Sequence, residues 1–207
     1  MKISCTKTGK RFNREWIFRD FTYEFNKGGY YAITGPNGSG KSTLLQVIAG
    51  AVVSSEGTVT YETGNLKKPV SDDIFKFIAI AAPYLEVIEE MTLTELLNFH
   101  RIFKPFIKNI SVQDVIRITS LESAAHKQVR YYSSGMKQRV KLAQAIFSDT
   151  ACLLLDEPCT NLDEPGIRLY HNLISEYCKD RLVIVSSNDE QEYSFCNTVL
   201  SIADYKK

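Results

Sequence analysis

The pattern of apolar and polar positions changes character three times along the chain. Around WIFRDFTYEF, Trp16 to Phe25, apolar and polar residues alternate with period two, the mark of half-buried antiparallel strands. GGYYAIT, Gly28 to Thr34, is apolar without alternation, as in a strand covered on both faces. It runs into a glycine-rich loop and then KSTLLQVIAG, a helix with Gly50 placed to end it. GTVTY from Gly57 and FIAIAA from Phe77 predict two further strands. The middle of the chain is helical. Thr92 with Glu95 forms a capping box before LLNFHRIF, where Leu93, Leu96, Leu97 and then His100 or Phe103 fit a 3.6 period. Ser111 opens a second helix with Val112, Val115, Ile116 and Thr119 on one side. A third, after Ser134, puts Met136, Val140, Ala143 and Phe147 on one stripe. The strand CLLLD, a helix after Pro165, the strand LVIVSS and a last strand TVLSI follow.

Strands and helices that alternate, with unalternating apolar strands, predict an α/β fold built on a mainly parallel sheet. An antiparallel β part precedes it, and a helical insertion over about residues 92–147 stands off the core. With no repeat and no low-complexity linker, residues 1–207 are expected to form a single domain.

Composition narrows this only a little. Hydrophobic residues at 44% and charged residues at 24% are ordinary globular values. A net charge of +1 supports no broad nucleic-acid footprint, and no nucleic-acid partner is expected. The longest apolar run, FIAIAAPYLEVI, is broken by Pro83 and Glu86 and falls short of the ~20 residues that span a bilayer. The N-terminal stretch lacks the apolar core of a signal peptide, so the chain is expected to be soluble by itself. Cys5, Cys152, Cys159, Cys178 and Cys196 form no CxxC pair and read as small core residues in a reducing compartment. His100, His126 and His171 have no ligand spacing, so no metal beyond a nucleotide-bound Mg²⁺ is expected.

The chemistry lies in three short segments. GPNGSGKST comprises Gly35, Pro36, Asn37, Gly38, Ser39, Gly40, Lys41, Ser42 and Thr43, and it satisfies GxxxxGK[ST] between a strand and a helix. Its glycines let the backbone close round phosphate oxygens, with the loop amides as the cradle. Lys41 would reach the β- and γ-phosphates, and Ser42 would give a hydroxyl to Mg²⁺. CLLLDEP brings Asp156 and Glu157 to the carboxyl end of a buried strand, where ligands bind in such sheets. Asp156 suits a water-mediated Mg²⁺ contact, and Glu157 could polarise the attacking water. YYSSGMKQRV opens a second helix fit for an anion, with Ser133, Ser134 and Gly135 at its start.

The order of the phosphate loop, SSGMKQR, LLLDEP and TNLD resembles the ATP-binding cassette of ABC transporters, over essentially the whole chain. The similarity is to compact single-cassette ATPases such as the haem-exporter-like ATP-binding proteins. It implies a P-loop NTPase that binds ATP and Mg²⁺ and hydrolyses ATP, with the helical insertion carrying the signature segment. Tyr132, Ser133, Ser134, Gly135 and Met136 stand where that family has Leu-Ser-Gly-Gly-Gln, so Ser134 replaces a glycine and Met136 the glutamine. In the family two cassettes pack head to tail, with ATP between the phosphate loop of one and the signature helix of the other. The two phosphate-binding helix starts of this chain are then halves of different sites, completed in an expected homodimer. The resemblance also implies Asp163 at the dimer interface, Phe12 stacked on adenine with Trp16 as a rival, and Asn188 at the γ-phosphate switch position. There Asn replaces the usual histidine and brings no titratable group. Pro83 or Tyr84 stands near the family's Mg²⁺-contacting glutamine. With Lys41, Ser42, Asp156 and Glu157 all in place, the expectation is a working but slower ATPase.

The resemblance further implies a separate integral membrane permease as partner, and a peripheral place on the cytoplasmic face of the membrane. A soluble mechanical or regulatory ABC ATPase is the alternative, though such proteins usually carry two cassettes or a long coiled-coil insertion. A small-molecule P-loop kinase would need an acceptor pocket and a lid with arginines, and the signature segment argues against it.

Overall fold

The computed structural model of the chain describes residues 1–63, 66–69 (backbone only) and 73–206. It divides into two compact units: Met1–Ile80 with Ala151–Glu157 and Asp180–Lys207, and Ala81–Thr150 with Pro158–Lys179.

In the first unit, β1 (Lys2–Phe12) and β2 (Glu15–Phe25) form an antiparallel hairpin, which β4 (Glu56–Thr63) and β5 (Leu66–Pro69) extend in the order β2-β1-β4-β5. Alternation puts Ile3 and Cys5, and Phe21 and Phe25, inside, and a break in the register at Asp20, φ 57°, turns Phe18 to the same side. A second sheet has the order β6-β7-β8-β3-β9, made of β3 (Tyr30–Thr34), β6 (Ile78–Ala81), β7 (Cys152–Asp156), β8 (Leu182–Ser186) and β9 (Thr198–Ser201). β3 pairs in parallel with β8 and β9, and β7 with β8. Every residue of β7 and β8 is buried, which is why neither alternates in sequence. The α/β class and the mainly parallel sheet with its antiparallel N-terminal part are as expected.

The helix α1 (Lys41–Ile48) packs Leu44, Leu45 and Ile48 into a core shared with Ile33, Leu154 and Ile184. Gly50 does end it. At φ 73° the Gly50 N–H donates to Val47 O and the Ala51 N–H to Gln46 O, the paired bonds of a Schellman stop.

The second unit is helical: α2 (Leu93–Phe103), α3 (Val112–Ile118), α4 (Ser134–Phe147) and α5 (Glu164–Tyr177). Both expected caps are made. Thr92 and Glu95 exchange reciprocal bonds at the head of α2, and Ser111 with Asp114 repeats the device on α3. Leu93, Leu96, Leu97, Val112, Val115, Ile116, Val140, Ala143 and Phe147 are buried. The stripe on α2 stops short of its expected end. Phe103 is 64% exposed, and Phe99 and Ile102 are exposed with it, so His100 takes the inward position. Its ring is held by Gln144, whose Nε2 donates to Nδ1, while its Nε2 donates to Ser148 Oγ. Met136 is only partly buried, and the inner face of α4 includes Gln138, Leu142, Ala145 and Ile146.

Among the described residues no helix is long and apolar enough to cross a membrane. All five cysteines are free thiols, and four of them are buried.

Candidate functional site

An open cleft of about 230 Å³ in the first unit is lined by Ile17, Asn37, Gly38, Ser39, Gly40, Lys41, Ser42, Thr43 and Glu157. The loop between β3 and α1 reaches this shape through its glycines. Gly40, the residue before α1, sits at φ 102°, and a Cβ there would lie 2.4 Å from Ile17 Cγ2. No side chain caps α1 and its first turn holds no acidic residue. The leading amides of the helix therefore face the cleft as anion donors.

Lys41 is buried, and its Nζ donates to the carbonyl oxygens of Gly35 at 2.8 Å and Pro36 at 3.4 Å. Its cation is thus held back along the loop. Ser39 Oγ and Asp156 Oδ1 are buried with no hydrogen-bond partner among the described residues. A buried carboxylate oxygen left open at a strand end calls for a ligand, since such groups are nearly always satisfied. With the Ser42 hydroxyl in the cleft, this donor set suits a hard cation that keeps its waters, and Mg²⁺ fits it.

Glu157 follows the last paired residue of β7. Its N–H donates to Ser186 O at 2.8 Å and its φ is 42°, so the turn out of the strand carries the side chain into the cleft. Asn188, two residues past the end of β8, bears on the same loop: its Oδ1 accepts from Gly35 N at 3.2 Å and its Nδ2 donates to Asn37 Oδ1 at 3.0 Å. No sequence pattern signals this pairing, nor Ile17 as a wall of the cleft.

Of the two aromatic candidates for the base, Phe12 ends β1 half exposed, with the Lys10 ammonium 4.9 Å from its ring centre. The Trp16 ring has the Arg11 and Arg19 guanidinium groups 5.5 and 4.6 Å from its centre, and Arg19 is tied to Glu56.

The second unit holds the other helix start that the sequence singles out. Ser133 caps α4, its Oγ accepting from Met136 N at 3.2 Å, and Ser133 and Ser134 are exposed. Gly135 lies so close to the segment before α5 that a Cβ would meet Asn161 O at 2.8 Å. Asp163 caps α5 by accepting from Gly166 N and pairs with Arg139 at 3.2 Å. Those contacts, the Gly166 bond first, hold its carboxyl below the usual range. Tyr132 turns inward and donates to Ala124 O. The Pro83 carbonyl accepts from Lys141 Nζ at 2.8 Å, and Tyr84 beside it is exposed.

A parallel sheet with a glycine loop, an uncapped helix start and an acid pair at a strand end defines a P-loop nucleotide-binding protein. The ABC transporter family model matches residues 18–160, and the chain belongs to that family, as an ATP-binding ATPase. It is 30% identical over 202 residues to the uncharacterized ABC transporter ATP-binding protein YybJ of Bacillus subtilis, covering 97% of this chain and 92% of YybJ. It is 29% identical over 191 residues to the cytochrome c biogenesis ATP-binding export protein CcmA of Mesorhizobium japonicum, covering 90% and 91% of the two chains. Two solved structures share its fold. One is an ATP-binding cassette, dimeric in a post-hydrolysis state with ADP and Pi, at TM-score 0.81 and 22% identity over 96% of this chain and 93% of that one. The other is the ATP-binding subunit of an ABC transporter, at TM-score 0.82 and 20% identity over 97% and 85%.

Proposed function

We propose that this chain hydrolyses ATP as one of a pair of cassettes and that hydrolysis drives a separate membrane-spanning transporter subunit. The observation that carries the reading is the cleft itself. It brings Glu157 to the same cavity as the loop amides and Ser42, and the open Asp156 Oδ1 belongs to the strand that delivers Glu157. The amides of the loop and of the first turn of α1 bind the phosphates, and Lys41 leaves the Gly35 and Pro36 carbonyls to neutralise the β- and γ-phosphate charge. Ser42 and Asp156 are the residues that would hold Mg²⁺, which would supply positive charge against the charge that develops on the phosphates. Glu157 accepts a proton from the attacking water. Phe12 stacks on the base, since its ring is half exposed whereas that of Trp16 is already flanked by two guanidinium groups.

Ser133, Ser134 and Gly135 act on the nucleotide held by a second copy, and Asp163 lies at that interface. Their support is the exposed, serine-capped start of α4. The apolar side chains left in solvent in the second unit, Tyr84, Leu85, Ile88, Phe99, Ile102 and Phe103, are the surface a membrane subunit covers.

Glu157→Gln tests the pairing. With ATP and Mg²⁺ this variant should elute as a dimer in size-exclusion chromatography with light scattering, while the wild type with ADP stays monomeric. A monomer under both conditions counts against self-pairing across ATP.

A further inference from the structure

We infer that Asn188 is a positioning residue for the phosphate loop, which it clasps through Gly35 and Asn37 so that the cradle is formed before nucleotide arrives. The inference rests on the reading of this cleft as the phosphate site. Both functional atoms of the Asn188 amide are engaged by the loop. Its Oδ1 accepts from the Gly35 N–H at 3.2 Å, and its Nδ2 donates to Asn37 Oδ1 at 3.0 Å. The cleft is lined by Ile17, Asn37 to Thr43 and Glu157; Asn37 is thus shared by the clasp and the cleft, whereas Gly35 and Asn188 lie outside the lining. The clasp therefore grips the loop at its entry and leaves the cradle amides open, so a nucleotide can bind without breaking it.

Gly35 is held from two sides. Its N–H is bound by Asn188, and its carbonyl accepts from Lys41 Nζ at 2.8 Å. When Lys41 turns to a phosphate that carbonyl loses its partner, and the amide clasp is the contact that keeps the entry of the loop in place. Gly35 also carries φ 144°, a conformation open to glycine, so this point of the chain has little stiffness of its own. An amide serves here because it offers an acceptor to the Gly35 N–H and a donor to Asn37 Oδ1 at once. Neutral imidazole also has one of each, but on a different geometry and only while unprotonated.

The clasp makes no use of a γ-phosphate, so it acts on ADP and ATP alike. The test is titration of ADP and of ATP with Mg²⁺ into the wild type, Asn188→Ala, Asn37→Ala and the double variant by calorimetry, with thermal unfolding of each as a check on folding. Each single variant should bind both nucleotides about 3- to 10-fold more weakly, the worth of one or two ordinary hydrogen bonds. The double variant should be no weaker than Asn188→Ala, because that change already breaks the bond to Asn37. Loss of ATP affinity in Asn188→Ala with ADP unchanged would place the amide on the γ-phosphate and overturn the inference. So would additive losses, or unchanged affinity for both nucleotides. If the wild type binds neither nucleotide, the reading of the cleft fails instead.

Discussion

The backbone N–H of Glu157 donates to the carbonyl oxygen of Ser186 at 2.8 Å, one residue beyond the last matched pair of β7 and β8, Asp156 with Ser186. Strand pairing thus persists for one bond after the strand geometry has ended. That bond anchors a glutamate at φ 42°, in the left-handed region, where a non-glycine residue needs its neighbours to hold it. Asp156 stays buried at the strand end, while Glu157 turns into the cleft. Two adjacent carboxylates are sent to different places by one hydrogen bond.

From this, Glu157→Gln should keep the fold and the phosphate contacts but lose the proton acceptor. ATP turnover should fall by ~10²–10⁴-fold, with ADP affinity within about twofold of wild type. Steady-state phosphate release and calorimetry measure the two. A variant that keeps its turnover removes Glu157 from the chemistry.

Phe12 and Trp16 separate by their surroundings. Phe12→Ala should weaken ATP by about 3- to 10-fold through the lost stacking partner and leave tripolyphosphate unaffected. Trp16→Ala should leave ATP affinity unchanged, since its ring already packs against Arg11 and Arg19. The reverse order in a competition binding assay would assign the base to Trp16.

At the signature segment, Gly135→Ala drives a Cβ to 2.8 Å from the Asn161 carbonyl, a backbone atom that cannot turn aside. It should cost about 1–3 kcal/mol in urea unfolding. Under the proposed pairing, Ser133→Arg should leave ATP binding to the isolated chain intact and lower turnover severely. If Ser133→Arg loses ATP binding in a filter assay, the serine acts within its own chain.

His100 makes the second unit pH-dependent. Burial, with the Lys104 charge nearby, holds its pKa down at about 4 against an ordinary 6.5. Between those values the unfolded chain carries the proton and the native one does not. Its contribution is complete above about pH 6.5 and is lost as pH falls toward about 4, by about 2–3 kcal/mol in all. A hydrogen bond to the Gln144 backbone pulls the other way and is outweighed by burial and the Lys104 charge. His100→Gln removes the titration. Urea unfolding across about pH 4.5 to 7.5 should show a shallower slope for the variant, and parallel slopes would mean that the ring is not held neutral.

The sequence by itself determined whatever depends on residues close together in the chain. GPNGSGKST announces the phosphate loop because its amides must follow one another round an anion, and the capping boxes at Thr92 and Ser111 each close over three residues. The buried strands CLLLD and LVIVSS are legible because a strand covered on both faces has no polar positions to alternate. Tertiary structure decided what depends on distant segments meeting. Asn188 and Asn37 are 151 residues apart, and their bond exists because parallel pairing sets β3 beside β8, so that the turns after both strands leave the same end of the sheet. The 3.6-residue period allowed either His100 or Phe103 to face inward, and Ser148 and Gln144 on a later segment chose the histidine by satisfying both its ring nitrogens. Phe12 and Trp16 are likewise equivalent as letters, and only the folded hairpin sets two guanidinium groups against one of them. Local patterns fix which bonds a segment can make with itself, whereas the partner of a long-range polar or aromatic group is set by the path of the whole chain.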